Sequence, residues 1–300
     1  MRARKDEMRF RHLIAAFLFL FSSFPAVAEP VVKAHPALWH VKGPVGEVYL
    51  LGSIHLLPKT IDWHTPAIKA AMAKANVFVF EVSTDEKAQD RIRELVAEMG
   101  MLPPGQSLRQ MLPPTVREDF DAAIKSAGLP LEAVDREKPW LVSLQLLVAE
   151  GTARHYSADA GVDHAVMLAA ARARKPSRFF ETIEQQLRLL AGSDDKLQIQ
   201  EFAADLKNYR KDEDDLAPMI AAWSEGKADK LAALMNTELA DQPDVKKALL
   251  TDRNQRWALQ IQTMLREKRV FFITVGAGHL AGPDGVPALL RAAGYRVDGP

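Results

Sequence analysis

Two stretches of this 300-residue chain carry residue types that could do chemistry: Gly52-Ser53-Ile54-His55 and Gly276-Ala277-Gly278-His279. Each follows a short apolar run and places a histidine shortly after a glycine. Glycine lets the backbone leave a strand sharply, and in open α/β sheets ligands bind beyond the strand ends. A lone histidine in such a place is more often a hydrogen-bonded structural residue. Repetition in matched context is what singles out His55 and His279 as residues that meet in one cleft. Neutral imidazoles suit a divalent ion such as manganese, cobalt or zinc, and spacing does not choose among them. Such an ion would lower the pKa of a bound water, and a nearby carboxylate would take the proton.

Two carboxylates end apolar runs: Glu81 after Val77 to Phe80, and Glu181 after Arg178 to Phe180. An acid at the end of a buried strand is costly unless it is paired or bound to metal. Glu81 is read as a ligand beside His55 and His279 or as the base, and Glu181 as the other candidate base. A salt bridge or helix cap is the plainer role for each. Arg253, next to Asn254 at the head of an amphipathic helix, could orient a carboxylate or hold an anionic intermediate. Gly161-Val162-Asp163-His164 adds another acid and histidine, with Asp163 read chiefly as favouring the positive end of a helix. His35, His40, His64 and His155 have no comparable context.

Several other chemistries are excluded or disfavoured. Gly276-x-Gly278 with Gly282 approaches a dinucleotide fingerprint, but residues 283–300 are too few for the rest of that unit and its ribose-binding acid. No lysine and hydroxyl pair follows the glycines, so a phosphate-binding loop fails. A serine hydrolase is only a poorer third choice, because there is no Gly-x-Ser-x-Gly elbow and Ser53 lacks an obvious supporting acid; no His-Glu-x-x-His helix appears, so any metalloenzyme is not of the common zincin pattern. The chain has no cysteine, hence no thiol nucleophile, disulfide framework, zinc-cysteine cluster or lipid-modified cysteine.

The elements that must position these residues are legible as buried strands at Glu47 to Ser53, Val77 to Ser83, Arg178 to Thr182 and Val270 to Val275. They lack alternation, as strands covered on both faces do. Leu38 to Val41, before Gly43-Pro44, is expected to pair with the first of them as a hairpin. Helices are expected from Thr65-Pro66 to Ala75, from a Ser83/Glu86 capping box to Met99, from Pro113-Pro114-Thr115 to Gly128, and from Lys138 to His155. The last of these is apolar on most sides and should be buried. From Glu184 to Lys268 the pattern is helical, with a polar break at Lys211 to Asp215, and reads as a helical insert or lobe. The helix Val286 to Ala293 and a short strand at Tyr295 to Val297 finish the chain. The fold class is α/β: a central, mostly buried sheet flanked by helices, with the helical region before its last strands.

The first residues carry Arg2, Arg4, Lys5, Arg9 and Arg11, then an apolar run from Leu13 to Phe21, then Ala26-Val27-Ala28. That is the three-part pattern of a cleavable export leader over residues 1–28, which leaves one domain at 29–300 and a periplasmic or secreted location. No later apolar stretch is long enough to span a membrane, so no stable membrane insertion is expected after cleavage. Of the 39 basic and 39 acidic residues the leader takes five and two, which leaves a slightly acidic chain. No basic stripe with interleaved aromatics appears, so nucleic acid is not an expected partner.

Together, Leu38-Trp39, Gly52-Ser53-Ile54-His55-Leu56-Leu57-Pro58, Phe80-Glu81, Gly161-Val162-Asp163, Glu181-Thr182-Ile183-Glu184-Gln185-Gln186-Leu187, Asp252-Arg253-Asn254 and Gly276-Ala277-Gly278-His279-Leu280 resemble the TraB/GumN family in order and spacing. The resemblance covers essentially all of the chain after the leader. It implies a fold similar to the erythromycin esterase and ChaN-like group, with both histidines and Glu81 facing one cleft. Tiki-type relatives are metal-dependent proteases; others are linked to pheromone shutdown or exopolysaccharide gene clusters. No retained anchor of the Tiki kind is expected in this chain, so that substrate does not carry over. The expected activity is metal-dependent hydrolysis, of a peptide bond first, with a peptide or small molecule as substrate. The rival expectation is a non-catalytic exported protein that uses the cleft to hold a peptide or sugar.

Overall fold

The computed structural model describes residues 30–192, 194–209, 214, 216–239 and 243–300. The leader read at residues 1–28 lies outside them, as does the break at Lys211–Asp215 apart from Asp214.

Six strands form the central sheet: β1 (Leu38–Lys42), β2 (Glu47–Ser53), β3 (Val77–Phe80), β4 (Ser177–Phe179), β5 (Val270–Gly276) and β6 (Val297–Asp298). Their order across the sheet is β6-β1-β2-β5-β3-β4. From β2 to β4 neighbouring strands are parallel, whereas β1 runs antiparallel to β2 and β6 antiparallel to β1. The hairpin expected at Gly43-Pro44 is therefore present, closed by Gly43 N–H to the Gly46 carbonyl at 2.9 Å.

Both faces of the sheet are covered, which is why its strands read as unbroken apolar runs. On one face Leu51, Phe78, Phe80 and Phe272 pack with Ile68, Val162, Val166 and Trp223. On the other, Val48, Leu50, Val79, Phe271 and Ile273 pack with Trp257, Ile261, Leu265 and Leu290. A separate core away from the sheet joins Leu108, Phe120 and Ile124 to Phe202 and Leu206.

That partition refines the reading of the region 184–268. The expected helical region is present, and its helices divide among four cores: Ile183–Ala191 on a small one with Leu95 and Trp140, Asp195–Tyr209 on the separate core, Leu216–Ser224 and Ala228–Glu238 on one sheet face, Asp252–Met264 on the other. The helix Pro139–Ala153 departs from expectation. Trp140, Leu141, Val142 and Leu146 are buried, but Leu144, Leu147 and Val148 face outward.

Strand pairing stops at Phe80 and Phe179, short of the expected Ser83 and Thr182. The two chains then continue side by side, Phe180 N–H to the Phe80 carbonyl and Glu181 N–H to the Glu81 carbonyl, as they bend out of the ladder. The terminal strand forms at Val297–Asp298, not from Tyr295. The helix Glu86–Met99 is capped by Asp85, whose side chain accepts from Ala88 N–H; Ser83 instead accepts from Asp85 N–H. Both residues are cap formers, and the helix begins after the one nearer to it. Among the described residues no helix is long and apolar enough to cross a membrane.

Candidate functional site

Ser53 and Gly276 are paired residues of β2 and β5, so the two glycine-histidine turns leave the sheet side by side. A Cβ on Gly52 would stand 2.9 Å from both Cα and Cβ of Ala277, and only glycine permits that approach. Trp223 donates its indole N–H to the Gly52 carbonyl at 2.8 Å and fixes the first turn from the helix above. On the other side of β5, β3 delivers Glu81, whose Oε1 accepts from Gly276 N–H at 2.7 Å. β4 delivers Glu181 one strand further out. Four adjacent parallel strands thus end in His55, His279, Glu81 and Glu181, the place where the topology of an open α/β sheet collects ligands.

The absent side chain of Gly276 leaves a cradle. The point its Cβ would occupy is 3.3 Å from Glu81 Oε1, 3.5 Å from His279 Cδ2 and 3.9 Å from His55 Nε2. Sequence reasoning brought these three residues together, and they do border one space.

His55 has Nδ1 at 2.9 Å from Asp163 Oδ1, and Ser53 Oγ donates to the same oxygen at 2.5 Å. Asp163 N–H returns a bond to Ser53 Oγ at 3.1 Å. A carboxylate only accepts, so Nδ1 carries a proton and Nε2 faces the cradle. The hydrogen bond to Asp163, helped by the charges of Asp163 and Glu81, raises the His55 pKa to about 9 against partial loss of hydration. Its side chain remains 63 % exposed, so solvent reaches it.

His279 is the opposite case. It is buried, its ring 4.3 Å from that of Trp257. Burial drives its pKa down to about 4, with the Glu81 charge opposing and Arg253 and His55 adding to the fall. Nδ1 lies 2.6 Å from Asn254 Oδ1 and Nε2 lies 3.0 Å from Arg253 Nη1. Burial is also the largest influence on Glu81 and favours its neutral form; the cationic groups around it and Gly276 N–H outweigh that and hold the pKa below the usual carboxylate range. Since His279 is neutral near pH 7, Arg253 is the cation that counts there.

Arg253 comes from the start of the Asp252–Met264 helix, just after a π-helical turn at Lys247–Thr251. Its guanidinium donates to both Glu181 oxygens at 2.9–3.1 Å and to Glu81 Oε2 at 2.7 Å. Trp257 adds an indole N–H to Glu181 Oε1 at 3.2 Å, and Gln186 an amide N–H to Glu81 Oε2 at 3.1 Å. Glu181 is thus wholly occupied as a counter-ion, the plainer of the roles read for it.

The expected ion can be tested against this donor set. The cradle presents two donors, His55 Nε2 and Glu81 Oε1, while His279 shows it a carbon edge and gives Nε2 to Arg253. Among the described residues no three His, Asp or Glu side chains are grouped so as to hold a metal ion. As arranged, the residues do not fit the three-ligand set, because a guanidinium stands on the lone pair the third ligand would need.

Asp163, Asn254, Gln186 and Trp257 were not assigned to the site from sequence. Their signal lay in position: Asp163 and Gln186 fall inside the quoted motifs, and Asn254 follows Arg253 directly. Trp257 gave none.

A largely parallel sheet with carboxylate, imidazole and guanidinium groups converging beyond its strand ends defines an α/β protein with a polar cluster at that edge. Residues 37–299 match the TraB/PrgY/gumN family, and the chain belongs to it. An uncharacterized protein of Treponema pallidum (strain Nichols) is similar, 22 % identical over 297 residues that span 93 % of this chain and 88 % of the relative. No solved structure matches.

Proposed function

We propose that this chain is an exported hydrolase, acting first on peptide bonds, with the Gly276 cradle as its reaction centre. The observation that carries the reading is the approach of Glu81 Oε1 and His55 Nε2 to one point, with environments that push the two groups to opposite charges. Pairs of titratable groups driven apart in this way divide the acid and base roles between them.

The substrate carbonyl lies over Gly276, where no side chain intrudes. Glu81, kept ionised, takes a proton from the attacking water as its oxygen bonds to the carbonyl carbon. His55, kept protonated by Asp163, gives its Nε2 proton to the departing amine as the C–N bond breaks. Transfer of the Glu81 proton back to His55 through water resets the pair. Arg253 and Gln186 fix the other Glu81 oxygen, while Oε1, which accepts one bond from Gly276 N–H, keeps a second lone pair for the reaction. His279, neutral, holds Arg253 from the far side. A divalent manganese, cobalt or zinc ion, when bound, would add a Lewis acid and a more acidic water. No step above depends on it. Export by the leader at residues 1–28 belongs to the same proposal.

A second reading has its own support: every polar side-chain atom of Arg253, Glu81 and Glu181 already has a partner within the protein, as in a cleft that only binds. Turnover separates the two. With leaderless protein and a mixed peptide library read by mass spectrometry, cleavage is expected, and His55→Ala and Glu81→Gln should each lower it on the order of 100-fold or more. His55 is exposed, so its variant should fold unchanged by circular dichroism. Cleavage unaffected by His55→Ala would remove the hydrolase reading, and its absence in the parent protein would leave the binder.

A further inference from the structure

The conflict between the expected ion and the observed arginine is itself informative. Arg253 Nη1 donates to the Leu249 carbonyl at 3.1 Å and to His279 Nε2 at 3.0 Å. The histidine tautomer is fixed from both ends. Asn254 Nδ2 donates to the Asp284 carbonyl at 2.9 Å, which turns Asn254 Oδ1 toward His279 Nδ1. An amide oxygen only accepts, so Nδ1 carries the proton and Nε2 carries the lone pair; a guanidinium only donates, and it lies on that lone pair. Asn254 therefore prepares His279 Nε2 to accept, as outer partners of metal-bound histidines do, yet Arg253 is what it accepts from.

The guanidinium is also firmly held. Three of its contacts go to Glu181, whose side chain is 5 % exposed, and one each to Glu81 and His279. Its plane lies over the Trp257 ring, 4.7 Å from ring centre to Cζ. Glu181, Trp257 and Leu249 keep Arg253 in place. A dication and a guanidinium on the same two groups repel each other, and burial leaves little water to screen them.

We infer that Arg253 is the resident cation of this site and takes the place of the expected ion: with its guanidinium on His279 Nε2 and Glu81, the residues His55, Glu81 and His279 do not together hold a divalent ion. The inference bears on the metal-binding part of the proposed function, not on its hydrolytic part. Arg253 then acts as a positioning residue that neutralises Glu81 without metal and keeps the ion out.

Calorimetric titration of leaderless protein with Mn²⁺, Co²⁺ and Zn²⁺ tests this. Arg253→Gln should bind at least one ion about tenfold or more tightly than the parent, the scale on which supporting groups tune metal affinity. Arg253→Lys keeps the charge beside Glu181 and has no second nitrogen for His279; it should shift affinity the same way, and it decides the matter should the glutamine variant not fold. Adding His279→Ala should abolish the gain, while His279→Ala alone should leave the parent's affinity unchanged. Arginine variants that bind no better than the parent, or a large loss from His279→Ala alone, would overturn the inference. So would failure of every variant to bind an ion. The hydrolytic reading is judged apart from all of these, by peptide turnover of the parent and His55→Ala proteins.

Discussion

Glu181 and Arg253 are nearly sealed from water, with side chains 5 % and 7 % exposed. Removing one partner of such a pair leaves the other charge buried, so Glu181→Ala should destabilise the protein by about 3–5 kcal/mol in urea unfolding. A loss below about 1 kcal/mol would mean that the pair is solvated. His55 contributes through its charged form. Its folded pKa lies above the unfolded value near 6.5, so its stabilisation is complete below about pH 6.5 and lost as pH rises through about 9. Residue type and repetition were enough to find His55, His279 and Glu81 in the sequence. Arg253 was legible as a residue that could orient a carboxylate, but its partners were not, since Glu181, Glu81 and His279 come from three distant segments.

Among the elements, the meeting of the two turns decides the site. Gly52→Ala would drive a methyl into Ala277, and repacking at that contact should cost about 1–3 kcal/mol and separate His55 from Glu81. Peptide turnover should then fall further than stability alone explains; unchanged turnover would show that the turns need not touch. The helix after Glu81 offers a smaller test. Asp85→Ala should cost about 1 kcal/mol and Ser83→Ala much less, because Asp85 is the residue that caps Ala88 N–H. The Ser-x-x-Glu spacing pointed to Ser83, since spacing alone cannot choose between two cap formers so close together. Buried strands were legible because both faces of the sheet are covered. Where pairing stops was not, because Glu81 and Glu181 leave the ladder for contacts with Arg253 that no apolar run records.

For the whole molecule, the controlling fact is that β5, drawn from near the end of the chain, lies between β2 and β3. Neither the residues before it nor those after it own a complete sheet. A chain ending before Val270 should show no cooperative unfolding transition by circular dichroism; a sharp one would mean that the earlier part folds alone. The sequence pattern foretold a sheet interrupted by helices and resumed. It did not foretell that those helices divide among separate cores, since each shows one apolar face whatever it packs against. The same late strand carries His279 to His55, and the two imidazoles end in opposite environments. Their titration by ¹⁵N NMR of imidazole-labelled protein, assigned with His55→Gln and His279→Asn, is the most direct test of the site. His55 should stay protonated up to about pH 9 and His279 neutral down to about pH 4. Two ordinary midpoints near 6.5 would contradict the cluster in which Asp163 holds an exposed His55 charged and burial keeps His279 neutral.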